Sequence, residues 1–497
     1  MVNVGFVGCG RIADLHALGY REHPDARIYA VCDTDEALCE QRRGEWGAEA
    51  AYTDYRALLD DPELDAVEVL VPYDYHEPVV VDAAAAGKHI ACQKPMTTEL
   101  ASADRMVAAA RASGKVYRLT EIYVWYPPIM KAKELIDAGA IGDLVGMRLN
   151  YLATPKGGWD VPARTYEQQV RIASTGLGLE TFDHGHHEWA TAWYLLGEAE
   201  RVSAWIDTLN GVVDGPATIM WKCREGKRYG VADFMFAPDL HMPSKYYSND
   251  EIYQIIGSKG VILINRGTGD MMDRPPVSLF DGHAWTHFGD VEGDWAQGFI
   301  GATHNFIRAI KGEEDPFLTG EQGREVLRFG LAVTASAAKR REVYLDELEH
   351  PWPWWLRFRN SRRDRGDCPV GPRRKSWLPL GKDLSKYAGQ AHELTLRLPE
   401  RFDGGAVGDW ECTIALELRG EGGVETRRYA LVVRDGALSV EADATPDTPN
   451  LTLHLKAGLW AGMLLGKKRI ETAVLQGQIK YEGKVEEALP LREAFHI

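Results

Sequence analysis

The 497-residue chain lacks any apolar run near the ~20 residues that a membrane-spanning helix needs, so no membrane partner is expected. It has no charged leader or small-residue cleavage site before its first strand-like segment, which predicts a protein without a secretion signal, resident in the cytoplasm. Its seven cysteines (9, 32, 39, 92, 223, 368 and 412) are odd in number, scattered and without a Cys-x-x-Cys pair, which predicts reduced, buried thiols. Positive charge is scarce: the net charge is −16, and residues 1–349 alone carry −19. That balance argues against nucleic acid and other polyanions as partners. Only residues 350–385 reverse it, to +6, in a stretch too short and proline-rich to change the conclusion; residues 386–497 return to −3. Internal repeats are absent.

What is present begins at residue 2. An apolar run, 2–7, leads into Gly8-Cys9-Gly10-Arg11-Ile12-Ala13, then an amphipathic run, then a second apolar run, 27–32, that ends in Asp33. Strand, glycine turn, helix, strand, acid is the layout of a dinucleotide-binding βαβ unit. Gly8 permits the tight turn off the strand. Gly10 lets backbone N–H groups approach a pyrophosphate, and the helix start at Arg11 and Ile12 offers unpaired donors to it. Asp33 suits both ribose hydroxyls and would repel a 2′-phosphate, so NAD is the predicted cofactor.

Residues 1–120 alternate strand and helix patterns, with strands at 2–7, 27–32, 66–71, 89–92 and 116–120, and helices at 77–86 and 98–112 between them. This predicts a parallel, doubly wound α/β Rossmann domain. Ligands sit at the carboxyl ends of such strands, where Gly8, Asp33, Pro72 and Lys94 fall. Residues 121–349 change character, with β-type runs at 144–152, 201–209, 218–223, 228–236, 253–256 and 261–264. Helices at 129–138, 181–196, 297–310 and 321–339 complete an α+β domain built on an open-faced, mostly antiparallel sheet. Residues 350–385 read as an ordered Trp/Arg/Pro-rich connector with four tryptophans and seven arginines. Residues 386–497 read as a separate small α+β domain, with strands at 393–398, 411–418, 426–433, 437–442 and 451–455 and an apolar helix at 458–465.

Two further sites can carry chemistry. Gln93-Lys94-Pro95 follows a buried strand at the ligand-bearing edge, where a lysine can hydrogen-bond a substrate oxygen. In Asp183-His184-Gly185-His186-His187-Glu188, Asp183 and His187 are four apart on a helix and share a face. A carboxylate beside an imidazole suits alcohol oxidation, the imidazole taking the hydroxyl proton. The spacing is not His-Glu-x-x-His, and adjacent histidines on a helix point about 100° apart, so no catalytic metal is predicted. Tyr123, Trp125, Trp159 and Tyr166 could form an aromatic wall for a sugar or cyclitol ring, with His186 beside them.

These residues resemble the glucose–fructose oxidoreductase / inositol dehydrogenase / rhizopine catabolism (Gfo/Idh/MocA) family over residues 1 to about 345. The resemblance rests on Gly8-x-Gly10-x-x-Ala13-x-x-His16, on Val71-Pro72 followed by His76, and on Ala86-Gly87-Lys88-His89-Ile90-Ala91-Cys92-Gln93-Lys94-Pro95. Lys133 through Gly142 and Asp183-x-Gly185-x-His187 extend it. It implies a Rossmann domain followed by an open-faced sheet, and reversible NAD(P)-dependent oxidation of a sugar or polyol hydroxyl. It also implies Lys94, Asp183 and His187 as the catalytic trio, His187 being the acid/base, with Pro72, His76 and Gln93 in the cofactor site. The chain departs from the family's usual pattern at four places. Gln93 replaces a glutamate, and Gly176 and Gly178 are all that remain of a glycine run. Ala190 replaces an acid, and 123–128 is aromatic and proline-rich where relatives often carry arginine. Residues 386–497 resemble the sterol carrier protein family through Asn450–Leu455, the apolar helix and Ala473 to Gly483.

The reading is thus an NAD-dependent oxidoreductase acting on a secondary hydroxyl or keto group of a sugar, cyclitol or glycoside, working as a homo-oligomer (dimer or tetramer). Two alternatives stand beside it. One is a redox-neutral glycoside-cleaving or epimerising enzyme with tightly bound, recycled NAD. The other is a non-catalytic sugar or dinucleotide sensor.

Overall fold

The computed structural model describes residues 1–349 apart from 22, 161–166, 168–169, 172–174 and 210–211, and residues 383–483 apart from 408–409, 469, 471–472 and 474–476. The chain divides into two compact units, Met1–Pro351 and Trp352–Ile497.

The first unit starts with six strands: β1 (Val2–Val7), β2 (Ala26–Cys32), β3 (Ala50–Tyr52), β4 (Ala66–Val69), β5 (His89–Gln93) and β6 (Tyr117–Thr120). They form one parallel sheet in the order β3-β2-β1-β4-β5-β6. Strands covered on both faces are mostly apolar, and all four residues of β4 are buried. One of them is Glu68, which accepts hydrogen bonds from Tyr20 (2.6 Å), Thr120 (3.0 Å) and His16 Nδ1 (2.9 Å). Helices Arg11–Arg21, His76–Ala85 and Leu100–Ser113 supply the crossovers.

The second sheet uses β7 (Leu144–Ala153), β9 (Ala199–Ile206), β10 (Ala217–Cys223), β11 (Tyr229–Phe236), β13 (Asn249–Gly257), β14 (Val261–Ile264), β15 (Val277–Phe280), β16 (Trp285–Phe288) and β17 (Val343–Tyr344). The short strands β8 (Lys156–Gly157) and β12 (His241–Met242) pair separately. The order is β16-β15-β14-β13-β7-β11-β10-β9-β17, antiparallel except for the parallel pair β7–β11. Sequence patterning missed β15 and β16. Each has four residues around the turn Asp281-Gly282, too few for alternation to stand out.

Helices Ala296–Ile310 and Gly320–Lys339 return to the first sheet. Gly19 sits so close to Thr303 that a Cβ there would lie 2.5 Å from it, and Arg118 of β6 bridges to Thr319. These contacts make residues 1–351 one body, with the catalytic candidates of both halves inside it.

The second unit holds a five-stranded sheet, β20-β19-β18-β21-β22, from β18 (Cys412–Arg419), β19 (Arg427–Arg434), β20 (Ala437–Ala442), β21 (Leu451–Lys456) and β22 (Lys480–Gly483). The helix Ala457–Leu464 is buried all round, as a helix without a polar face must be. The strand expected at 393–398 is instead part of the helix Ala391–Leu396 and the turn after it. Glu-Leu-Thr-Leu-Arg-Leu alternates like a strand, but tertiary contacts win. Ala391 and Thr395 lie one turn apart and are both buried, and Trp460 Nε1 donates to Thr395 Oγ1 at 2.8 Å. The predicted connector at 350–385 and Tyr166 lie almost wholly or wholly outside the described residues. The six described cysteines are buried and unbridged. Among the described residues no helix is long and apolar enough to cross a membrane.

Candidate active site

The glycine turn is shaped by two opposite demands. Gly8 has φ +105°, and a Cβ there would lie 2.7 Å from the carbonyl oxygen of Leu70, so only glycine fits. At Gly10 the reverse holds: no atom lies within 4 Å of where a Cβ would stand. That open space faces the start of helix Arg11–Arg21, at Arg11 and Ile12, whose first N–H groups have no partner within the helix. Asp33, just past β2, accepts from Cys9 N (2.8 Å) and Asp35 N (3.0 Å), which fixes its carboxylate beside the turn. A dinucleotide pyrophosphate fits the cradle at Gly10, and a ribose fits the carboxylate.

Pro72 opens the short turn Tyr73–Tyr75 after β4. His76 is buried; its Nε2 lies 2.9 Å from Val71 O, and its Nδ1 lies 3.0 Å from Pro95 O and 3.1 Å from Met96 O. It therefore ties the loop after β4 to the loop after β5. Gln93 does a related job. Its Oε1 accepts from Lys94 N at 2.6 Å while its Nε2 donates to His16 Nε2 at 2.9 Å. His16 must then carry its proton on Nδ1, pointing at Glu68. A chain of side chains thus runs from the buried acid of β4 to the backbone of Lys94, whose peptide bond to Pro95 is cis.

Lys94 reaches across from the parallel sheet to a π-helical turn, Leu179–His184, that leads into helix Gly185–Leu196. Its Nζ donates to Asp183 O at 2.8 Å and lies 3.5 Å from Asp183 Oδ1. Asp214 holds the start of the turn by accepting from Glu180 N (2.6 Å) and Thr181 N (2.8 Å). Single π-turns at helices are rare and occur frequently at functional sites.

His187 sits one helical turn on. Its Nδ1 donates to Glu121 Oε1 at 2.6 Å, and His186 Nδ1 meets the other oxygen of the same carboxylate at 3.1 Å. Tyr123 stacks on the His187 ring, centroids 4.4 Å apart and 19° from parallel, and shares a 2.6 Å hydrogen bond with Thr268 Oγ1. Burial pushes His187 down to about 4, against the pull of Glu121, so the ring is neutral near pH 7. Burial opposes ionisation of Glu121, but the two histidines outweigh it and hold its carboxyl far below the usual range. Glu180, which accepts from the Tyr151 hydroxyl, is pushed by burial up to about 7.

Glu121 and the short-range role of His186 were missed by sequence reasoning. Glu121 lies 66 residues from His187 in a stretch with no motif, but it directly follows β6. That is the same strand edge that carries Gly8, Asp33, Pro72 and Lys94, and an acid there was the available signal. The aromatic candidates divide. Tyr123 is against His187. Trp125 packs edge-on to Phe317 at 5.8 Å. Trp159 lies under the Arg11 guanidinium, 4.3 Å from its ring centre, and meets Tyr246 and Tyr247 edge-on.

Comparison with known proteins adds the lineage. Residues 2–121 match the model of an oxidoreductase family with an NAD-binding Rossmann fold (GFO/IDH/MocA), and residues 129–263 match the C-terminal domain of the same family. Residues 395–496 match the SCP-2 sterol transfer family. The chain is 28% identical to a myo-inositol 2-dehydrogenase of Thermotoga maritima over 70% of its own length and 99% of the relative's. It is 25% identical to a D-apiose dehydrogenase of Paraburkholderia graminis over 70% and 90%. The fold is similar to that of a levoglucosan dehydrogenase solved with NADH and levoglucosan (TM-score 0.59, 22% identity, 69% of this chain and 99% of that one). The glycine cradle, the anchored Asp33 and these matches lead to one conclusion: the chain belongs to the GFO/IDH/MocA family of NAD-dependent oxidoreductases and carries an SCP-2 domain in its C-terminal residues.

Proposed function

We propose that the protein oxidises, or in reverse reduces, a secondary hydroxyl or keto group of a sugar, cyclitol or glycoside. The observation that carries this reading is the meeting of Lys94, from the edge of the NAD-binding sheet, with Asp183 and the helix that bears His187. The relatives named for inositol and apiose support the same substrate class.

Bound NAD supplies the hydride acceptor. The chain's own groups do the rest. With Nδ1–H directed at Glu121, His187 has Nε2 as its free base, able to take the hydroxyl proton as the carbon is oxidised. Lys94 Nζ, a donor with spare protons, stabilises the oxygen as negative charge develops on it. The Asp183 carboxylate accepts from a neighbouring hydroxyl and fixes which carbon faces the cofactor. A screen of polyols, aldoses and glycosides, read by NADH absorbance, tests the reading. Binding of such ligands without turnover would instead mark a sensor.

A second reading keeps NAD bound and recycles it. Arg11 over Trp159 and the 3.1 Å ion pair of Arg171 with Asp74 both link the segment after β8 to the rim of the cofactor cradle, which favours slow cofactor exchange. Product formation without net NADH, from enzyme that retains NAD through gel filtration, distinguishes this case.

Two expectations follow from the same surfaces. Asp33→Ala lowers kcat/KM for NAD by roughly 10- to 100-fold, the worth of a charge-assisted hydrogen-bond pair, and narrows the preference over NADP. Steady-state kinetics with both cofactors checks it. The outer face of the second sheet exposes Trp205, Met220, Tyr229 and Met235, which supports self-association into a dimer or tetramer. Light scattering that returns a monomer mass would overturn that part of the reading.

A further inference from the structure

Behind the catalytic histidine lies a second group of side chains that the proposed reaction does not use. His184 ends the π-turn, and Glu188 follows four residues later on the same face of the helix. Glu251 comes from β13 and points into the same interior. His184 Nε2 lies 3.0 Å from Glu251 Oε1 and 3.8 Å from Glu188 Oε1. The three donor atoms all lie within 4.8 Å of one another.

We propose that His184, Glu188 and Glu251 form a site for one divalent transition-metal ion. Both carboxylates are fully buried, and among the described residues neither pairs with a lysine or arginine. Two buried carboxylates with a single imidazole between them are costly to keep ionised. A divalent ion balances them.

The arrangement of hydrogen bonds points the same way. Tyr253 donates to Glu188 Oε2 at 2.7 Å, and Thr268 N donates to Glu251 Oε2 at 2.7 Å. Asn249 Nδ2 reaches Glu251 Oε1 at 2.6 Å. Glu188 is therefore held by the oxygen that faces away from His184, while Glu251 is held at both oxygens and still turns Oε1 toward His184. Outer partners of this kind fix ligands in place. Glu188 Oε1 is the telling atom: it is buried, aimed at His184 and without a hydrogen-bond partner.

Spacing agrees as well. Ligand atoms on a tetrahedral ion with bonds of about 2.0–2.1 Å lie roughly 3.3–3.5 Å apart, between the two separations seen here. One imidazole with two carboxylates suits zinc or manganese better than calcium. Such an ion would tie the helix that carries His187 to the sheet. The site is separate from the acid/base pair, since His187 Nδ1 goes to Glu121 and not to this group.

The test needs no substrate and is independent of the proposed reaction. Metal content of the full-length protein is measured by plasma mass spectrometry, and thermal unfolding is followed before and after chelation and after adding Zn²⁺ or Mn²⁺. The expected result is about one equivalent per chain, a Tm that falls on chelation, and recovery with one equivalent of ion. Glu188→Gln, isosteric and neutral, loses the ion while keeping its far-ultraviolet dichroism. Wild-type protein that holds only trace metal and shows no Tm response to either ion overturns the proposal. So does a Glu188→Gln variant that still binds one equivalent. Should that variant fail to fold, the chelation and reconstitution arms on wild-type protein still decide.

Discussion

Lys94→Ala lowers kcat by about 10³-fold or more and leaves NAD binding within a few-fold of wild type. The side chain leaves the parallel sheet at the C-terminal end of β5 and contacts the second half of the unit through Asp183. Alanine removes every proton that could stabilise an oxyanion at that point. It leaves Gln93 Oε1 bonded to the backbone N–H of residue 94, so the loop keeps its hold. Lys94→Met, with similar length and no charge, should be as inactive as alanine, because the lost term is electrostatic and not steric. Fluorescence titration with NADH separates this loss from a loss of the cofactor site. If both variants turn over within tenfold of wild type, Lys94 has no part in the chemistry.

The two halves of this site were unequally visible in the amino-acid order. The cofactor half is local. Gly8, Gly10 and Asp33 fall within 26 residues, and each has a backbone reason that a motif can express. Lys94 was legible because strand, lysine and proline stand together at a ligand-bearing edge. Asp183 and His187 are four apart, but Asp183 lies within the π-helical turn Leu179–His184 and His187 in the α-helix after it, a change of winding that no periodicity announces. Glu121, Tyr123, Glu188 and Glu251 are brought together only by the crossing of β6, the helix Gly185–Leu196 and β13. Pairings 65 or more residues apart carry no pattern of their own. The strand expected at 393–398 failed for a related reason: alternation is a period, and Ala391, Thr395 and Trp460 chose helix through packing.

Glu121→Gln is the sharper test of how His187 works. In the native site one carboxylate accepts from two imidazoles, at 2.6 Å and 3.1 Å, and carries no proton of its own. An amide has one accepting oxygen and one donating nitrogen. It can satisfy one histidine as before, but it presents N–H groups to the other. If the amide nitrogen faces His187, the ring must move its proton to Nε2, the atom that in the proposed reaction receives the hydroxyl proton. If it faces His186, His187 keeps its tautomer but loses the negative charge that stabilises its protonated form during turnover. Either way the base is impaired while its position hardly changes. The expected outcome is a fall in kcat of about 10²- to 10⁴-fold, with KM for substrate and for NAD changed only a few-fold. His186→Ala separates the two effects. It leaves the His187–Glu121 bond intact and should cost far less in kcat than Glu121→Gln. Equal losses in both variants, or a loss confined to KM and Tm, would show that Glu121 holds the helix in place and takes no part in aiming the base.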